Sequence, residues 1–261
     1  MRALASLLLG LAACSQLLEI APPPVATTEG PETPYWTFAD DFELGDLRRW
    51  TQHVSSPNGT LTVDTGDAAS GCCALHATLA AGPVGFQYAL VSWPATSPSA
   101  PPLTSGTIAV RARIKAVQLD PDTRELSVVE GGASASAFVT AGLGATGTST
   151  GDAWGFVLSD PSTAGFAPRS ANVVPDALGG WHCVELVVNV ASDAGHVAVF
   201  MDGSAVPQID ADANTSVAVG WDSVTVGLSY ASGVAPAEIL LDDVQVALSA
   251  DLSPTLHIGC D

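Results

Sequence analysis

Residues 106–117, GTIAVRARIKAV, alternate with a period of two. Ile108, Val110, Ala112 and Ile114 face one way; Ala109, Arg111, Arg113 and Lys115 face the other. A helix would spread both sets around its axis. An extended strand sorts them onto two faces, so this segment reads as a strand with one buried side. Similar runs follow at residues 85–93 (GFQYALVSW), 153–159 (AWGFVLS), 181–190 (WHCVELVVNV), 196–203 (HVAVFMDG), 223–230 (SVTVGLSY) and 237–248 (AEILLDDVQVAL). Clusters of Gly, Pro and Ser separate the runs, and Asp202-Gly203 carries a hairpin signal. No segment keeps the period of a long helix. The pattern predicts an all-β protein, an antiparallel sandwich or barrel.

The chain has 261 residues, enough for one large β domain once any leader is removed, and its net charge is −19. A field of that sign disfavours nucleic acid and anionic lipid headgroups. Neutral glycans and cations remain compatible partners.

The chain opens MRALASLLLGLAAC. Arg2 and the apolar residues 3–13 have the form of a secretory signal. The stretch is too short for a membrane span, which takes about 20 apolar residues. Leu11-Ala12-Ala13-Cys14 resembles the bacterial lipobox. The resemblance implies that residues 1–13 are a lipoprotein signal peptide and that Cys14 carries the lipid. Stable anchoring through its acyl chains follows. Ser15, where aspartate would act as a retention signal, resembles the outer-membrane address of Gram-negative lipoproteins. An ordinary signal with a chance cysteine is the alternative. Residues 14–34, rich in Pro, Thr and Gly, read as a tether, and residues 35–261 as the β domain.

Three segments of that domain resemble known modules. "WHCVELVVNV…HVAVFMDG" is similar to paired strands of laminin-G-like domains. "DDFELGDLRRW" (40–50) resembles the opening strand of jelly-roll carbohydrate-binding and concanavalin A-like modules, and "LLDDVQV" (240–246) their closing strand. The resemblance implies a concanavalin A-like jelly roll, two curved antiparallel sheets with a concave face. It also implies a structural calcium between the neighbouring first and last strands. Asp41 and Glu43 alternate on the first strand and share a side, whereas of the adjacent Asp242 and Asp243 only one can. Calcium takes six to eight oxygens, so carbonyls around Gly45 would complete the set. The alternative is a group of solvated acids.

With Cys14 lipidated, Cys72, Cys73, Cys183 and Cys260 remain, enough for two disulfides in any of three connectivities. Cys72 and Cys73 are adjacent and on a strand would point to opposite faces. A bond between them needs a strained ring, which favours distant partners for each. Co-occurrence of "WHC" and "IGC" in lipoproteins that this chain resembles implies instead Cys183–Cys260, leaving Cys72 and Cys73 vicinal or free. Zinc is disfavoured because no CxxC pair exists.

Catalytic signals are sparse. No strand carries the Glu-x-Asp-x-Glu pattern of glucanases, and HExxH, GxSxG, P-loop and GxGxxG motifs are all missing from the sequence. Tyr88, Tyr230 and Arg111 are candidates for a lyase-like constellation, should the fold assemble them. Arg111, Arg113 and Lys115 form a basic stripe, read as a solvated face paired with acids such as Glu125 and Glu130, or alternatively as a groove for an acidic glycan. Trp50 and Trp181 fall at motif positions and read as core. Trp93, Trp154 and Trp221 lie near strand ends and are the candidates for stacking on sugar rings. The expected function is a lipid-anchored surface lipoprotein with a non-catalytic module binding carbohydrate or another surface partner. A polysaccharide lyase or hydrolase on the same fold, and a purely structural or adhesive surface protein, are the alternatives.

Overall fold

The computed structural model describes residues 36–82, 87–94, 102–118, 126–132, 140–148, 151–160, 165–166, 179–193, 195–206, 210–212, 214–216, 220–231, 236–251 and 256–260. The chain divides into Met1–Glu32 and Thr33–Asp261. The signal, Cys14 and most of the tether fall in the first unit, outside the described residues.

Thr33–Asp261 is an antiparallel β-sandwich. One sheet has nine strands: β1 (Trp36–Asp40), β3 (Gly59–Asp64), β4 (Ala74–Leu79), β6 (Gly106–Gln118), β11 (His182–Val190), β12 (His196–Met201), β13 (Ser204–Ala205), β14 (Ala211–Asp212) and β16 (Ala237–Ser249). The other has seven: β2 (Gln52–Ser55), β5 (Gln87–Pro94), β7 (Leu126–Gly132), β8 (Thr140–Thr148), β9 (Gly151–Asp160), β10 (Gly165–Phe166) and β15 (Ser223–Ala231). The first runs β13-β12-β11-β6-β16-β4-β3, with β1 also on β16 and β14 on β12; the second runs β10-β9-β8-β7-β15-β5-β2.

Alternation explains the layers. Ile108, Val110, Ala112 and Ile114 of β6 are fully or almost fully buried, beside Leu186 and Val188 of β11 and Val244 and Val246 of β16. They meet Ala89, Val91, Val224, Val226 and Leu228 of the second sheet in one core. At about 25 cal/mol per Å² this apolar face dominates the stability of the sandwich. The hairpin signal is realised: Asp202 and Gly203 both take positive φ, 48° and 77°, between β12 and β13. That is the backbone hand a two-residue hairpin needs.

Two expectations fail here. The opening strand ends at Asp40, so Asp41 and Glu43 are not alternate residues of a strand. Phe42 turns the chain at φ 56° and is itself fully buried. Asp40 stabilises the turn by accepting Phe42 N–H at 3.2 Å and Trp50 Nε1–H at 2.7 Å. Glu125 lies outside the described residues, and Glu130 sits on β7 in the other sheet, opposite Thr225. Glu130 is therefore no cross-strand partner of the basic stripe.

Candidate functional site

The middle of the outer face of the nine-stranded sheet is crossed by the chain's own C-terminal segment. Residues opposite the core on β6 and β11 are Arg111, Arg113, Lys115 and Glu185. The C-terminal segment, residues 256–260, lies across them. Glu185, fully buried, accepts Ile258 N–H at 2.6 Å and Gly259 N–H at 3.1 Å and pairs with His257 Nδ1 at 2.5 Å. The His257 ring packs on Phe200 at 4.4 Å. Arg111 donates to the carbonyl of Gly259 at 3.0 Å, and Arg113 to that of Cys260 at 3.2 Å. The Cys183–Cys260 disulfide fastens the end of this strap to β11, with Cα atoms 5.8 Å apart. Burial pushes the Arg111 guanidinium below its ordinary value, although a guanidinium stays protonated.

Lys115 pairs with Asp67 Oδ2 at 2.5 Å, and Trp181 Nε1–H donates to Asp67 Oδ1 at 3.1 Å. The hydrogen bonds from Lys115 and then Trp181 hold the Asp67 carboxyl below the usual range. Trp181 is thus half-buried and bonded to a loop rather than sunk in the core. The stripe is a paired face, as its simpler reading expects, but its partners are Asp67, Asp243 and the strap carbonyls. The C-terminal strap engages Arg111 and Arg113, and the loop carrying Asp67 engages Lys115.

The acids converge on a second strap, the loop between β3 and β4. Asp242, with no exposed surface, accepts Ala69 and Ser70 N–H through Oδ2, both at 2.9 Å, and Asp243 N–H through Oδ1 at 2.7 Å. Glu43 Oε1 accepts Cys72 N–H at 2.8 Å and Cys73 N–H at 3.2 Å. Burial pushes the Asp242 carboxyl up to about 7, against the partial relief of the Ser70 amide. Asp243 is at a bulge, φ 48°, and turns to Arg113 Nε at 3.2 Å and Ser70 Oγ at 3.1 Å. Asp41 closes its own turn onto Glu43 N–H at 3.3 Å. So Glu43 and Asp242 share the loop of residues 69–73, while Asp243 is neutralised by an arginine and Asp41 is spent locally. Among the described residues, the set of three His, Cys, Asp or Glu donor atoms within 4.8 Å of one another is Glu43, Cys72 and Cys73. Those two sulfurs are joined in a disulfide and are not ligands. Cys183–Cys260 forms as the resemblance implies, and Cys72 and Cys73 take the vicinal alternative rather than distant partners; they lie in the loop entering β4, where the chain is not yet extended.

Of the three candidate tryptophans, Trp221 and Trp93 turn toward the core. Trp221 is fully buried, its Nε1–H bonded to the carbonyl of Thr215 at 2.7 Å. Gly220 before it takes φ 80°, and a Cβ there would stand 2.6 Å from Pro102 Cβ. Trp93 alternates with the outward residues of β5, packs at the core edge and stacks on Phe38 at 5.0 Å. Trp154 lies on β9 opposite Ala145, its side chain outside the described residues.

On the seven-stranded sheet the residues alternating with the core point away from it: Tyr88, Leu90, Ser92 and Thr225, with Ser92 and Thr225 hydroxyls 3.1 Å apart. In the register Thr225 stands opposite Ser92 of β5 and Glu130 of β7, and Ser92 opposite Gln52 of β2. No strand of this sheet contains Lys or Arg. Tyr88 and Arg111 therefore stand on opposite outer faces of the sandwich, and the Tyr88–Tyr230–Arg111 constellation does not assemble. The side chain of Tyr230 lies outside the described residues. The signals for Asp67 and Glu185 were invisible in sequence, since nothing local marks a loop or tail that folds across a sheet.

No protein-family model matches the sequence, and none of the curated proteins does. Solved structures do share its fold. The cellulose induced protein Cip1 superposes with a TM-score of 0.60 at 17% identity, over 86% of this chain and 100% of that one. An endo-beta-1,4-glucuronan lyase from the fungus Trichoderma reesei gives 0.62 at 16%, over 84% and 99%. Domain 4 of AbnA, a GH43 extracellular arabinanase from Geobacillus stearothermophilus, solved with arabinotriose, gives 0.51 at 14%, over 83% and 93%. The chain is a concanavalin A-like jelly roll.

Proposed function

We propose that this protein is a lipid-anchored surface lipoprotein whose jelly roll binds carbohydrate on the outer face of its seven-stranded sheet, without cleaving it. The observation that carries the reading is the occupancy of the opposite face: Glu185, Arg111 and Arg113 are engaged by the C-terminal strap. The seven-stranded face presents Tyr88, Ser92 and Thr225, an aromatic ring and hydroxyls of the kind that meet sugars. The AbnA domain, solved with arabinotriose on the same fold, supports a carbohydrate partner. Separation of Tyr88 from Arg111 favours binding over lyase chemistry.

The anchor rests on Cys14 and the lipobox-like residues before it. Cells making the parent chain carry it in the membrane fraction and label it with radioactive palmitate. Cys14→Ser releases it from the membrane and abolishes the label; equal labelling of the variant contradicts the anchor.

A structural calcium, implied by the resemblance of the first and last strands, would draw on Glu43 and Asp242. Asp242 is a fully buried carboxyl that accepts three backbone N–H bonds and has no ion-pair partner among the described residues. The bound cation would keep Asp242 ionised. Without it, the Asp242 carboxyl at about 7 lies above its ordinary 3.8. A carboxyl raised in the folded state stabilises the fold below its unfolded value, and that contribution is lost as pH rises through the folded one. Chelated protein is therefore expected to lose melting temperature from about pH 4 to 7 relative to Asp242→Asn, and calcium to abolish that relative loss. Parallel curves for chelated parent and variant contradict the assignment.

A further inference from the structure

We infer that the glycan taken by the seven-stranded face is neutral, and that uronic-acid chains are excluded because, among the described residues, this face has no cation to pair with their carboxylates; the inference rests on the carbohydrate reading above. The sequence holds eight Lys and Arg. Arg2 falls in the first unit, and Arg124 and Arg169 lie outside the described residues. The other five are engaged elsewhere. Arg48 pairs with Asp46 at 3.2 Å, and Arg49 donates to the Ala39 carbonyl of β1 at 2.8 Å. Arg111, Arg113 and Lys115 stand on β6 of the other sheet, held by the C-terminal strap and Asp67. No strand of the seven-stranded sheet contains Lys or Arg, and the charged residue that the register sets opposite Thr225 is an acid, Glu130.

What the face offers is neutral. The Ser92 and Thr225 hydroxyls lie 3.1 Å apart, and Tyr88 shares the Ser92 side of β5. A hydroxyl both donates and accepts, as a sugar hydroxyl does, so such pairs form in either sense without net charge. The tyrosine ring suits the apolar face of a sugar. A uronic-acid chain would bring a carboxylate on each sugar unit to the same surface. Each carboxylate would exchange water for hydroxyls and for the neighbourhood of an acid. A desolvated charge without an opposite charge costs more than those hydroxyls return. The net charge of −19 adds a repulsion of the same sign from the whole molecule. Salt separates the two effects, because it screens the distant field but supplies no partner in contact with the carboxylate.

The test is titration calorimetry of the purified protein with glucuronan, alginate and polygalacturonate, each native and with its carboxyls reduced to hydroxymethyl groups, and with neutral arabinan, at low and at high salt. Reduction removes the charge and keeps the backbone linkages. The expected result is binding confined to neutral chains, any native chain being at least about tenfold weaker than its reduced form at both salts. Tyr88→Ala is expected to weaken whatever binds. A native chain that binds as tightly as its reduced form, or that gains binding at high salt, overturns the inference and leaves the carbohydrate reading standing. No binding by any probe, or binding that Tyr88→Ala leaves unchanged, removes both.

Discussion

Trp221→Ala is expected to lower the unfolding free energy by about 4 kcal/mol, within the range for emptying a large aromatic from a core. The indole has no exposed surface, and its N–H is bonded to the Thr215 carbonyl. The loop that carries it is closed by paired backbone bonds between Leu103 and Trp221, each 2.8 Å. Opposite it lies Gly131, where a Cβ would stand 3.3 Å from the ring. Truncation leaves a cavity between β7 and the loop and an unpaired carbonyl, and neither can collapse without moving a sheet. Urea denaturation measures the loss. Glycan affinity per folded molecule is expected to stay at the parent value. The opposite pattern, stability intact and glycan binding lost, would return Trp221 to the role of a stacking platform.

Loss of the Cys183–Cys260 bond has an effect of similar size by a different route. The two residues are 77 apart in sequence, and closing a loop of that length is worth about 4 kcal/mol in restricted unfolded-chain entropy. For a domain of this size the expected drop in melting temperature is about 10 °C in Cys183→Ser/Cys260→Ser. The native state responds as well. The strap remains attached through the Glu185 carboxylate and the Arg111 guanidinium but is no longer fastened at its end. Hydrogen exchange at the Ile258 and Gly259 amides is expected to accelerate well before global unfolding. If those amides stay as protected as in the parent, the polar contacts alone hold the strap, and the disulfide serves the unfolded state only.

The β-sandwich was legible wherever the side chains contrast. β6, β11, β12, β15 and β16 all carry runs of Val, Ile or Leu alternating with polar or small residues, and each was readable as a strand. β8, TAGLGATGT, gives no such contrast, because Gly, Ala and Thr occupy both faces. β3 (GTLTVD) and β4 (ALHATL) do alternate, Leu61 and Val63 against Thr60 and Thr62, and Leu75, Ala77 and Leu79 against His76 and Thr78, but each run is only six residues long. Asp41 and Glu43 were misplaced because alternation assumes an extended chain, and a positive φ at Phe42 is not written in its side chain. The tryptophan reading failed for a related reason. Proximity to a strand end locates a residue along the chain but does not say whether its ring turns outward, and that of Trp221 turns into the core. The basic stripe was correctly placed on one face, yet its partners come from segments that return over the sheet from 48 and 148 positions away. Such contacts have no local signature.

The jelly roll leaves one outer face engaged by its own C-terminus and the other lined with a tyrosine and hydroxyls, and that asymmetry is the basis for reading the protein as a binding module. The most direct test incubates the lipid-free mature protein with neutral and uronic-acid polysaccharides. Affinity electrophoresis then measures retardation, and the same samples are assayed for new reducing ends and unsaturated products. Retardation by a glycan, weakened by Tyr88→Ala and accompanied by no new chain ends, is the predicted result. Chain cleavage, or no retardation by any glycan, would contradict it.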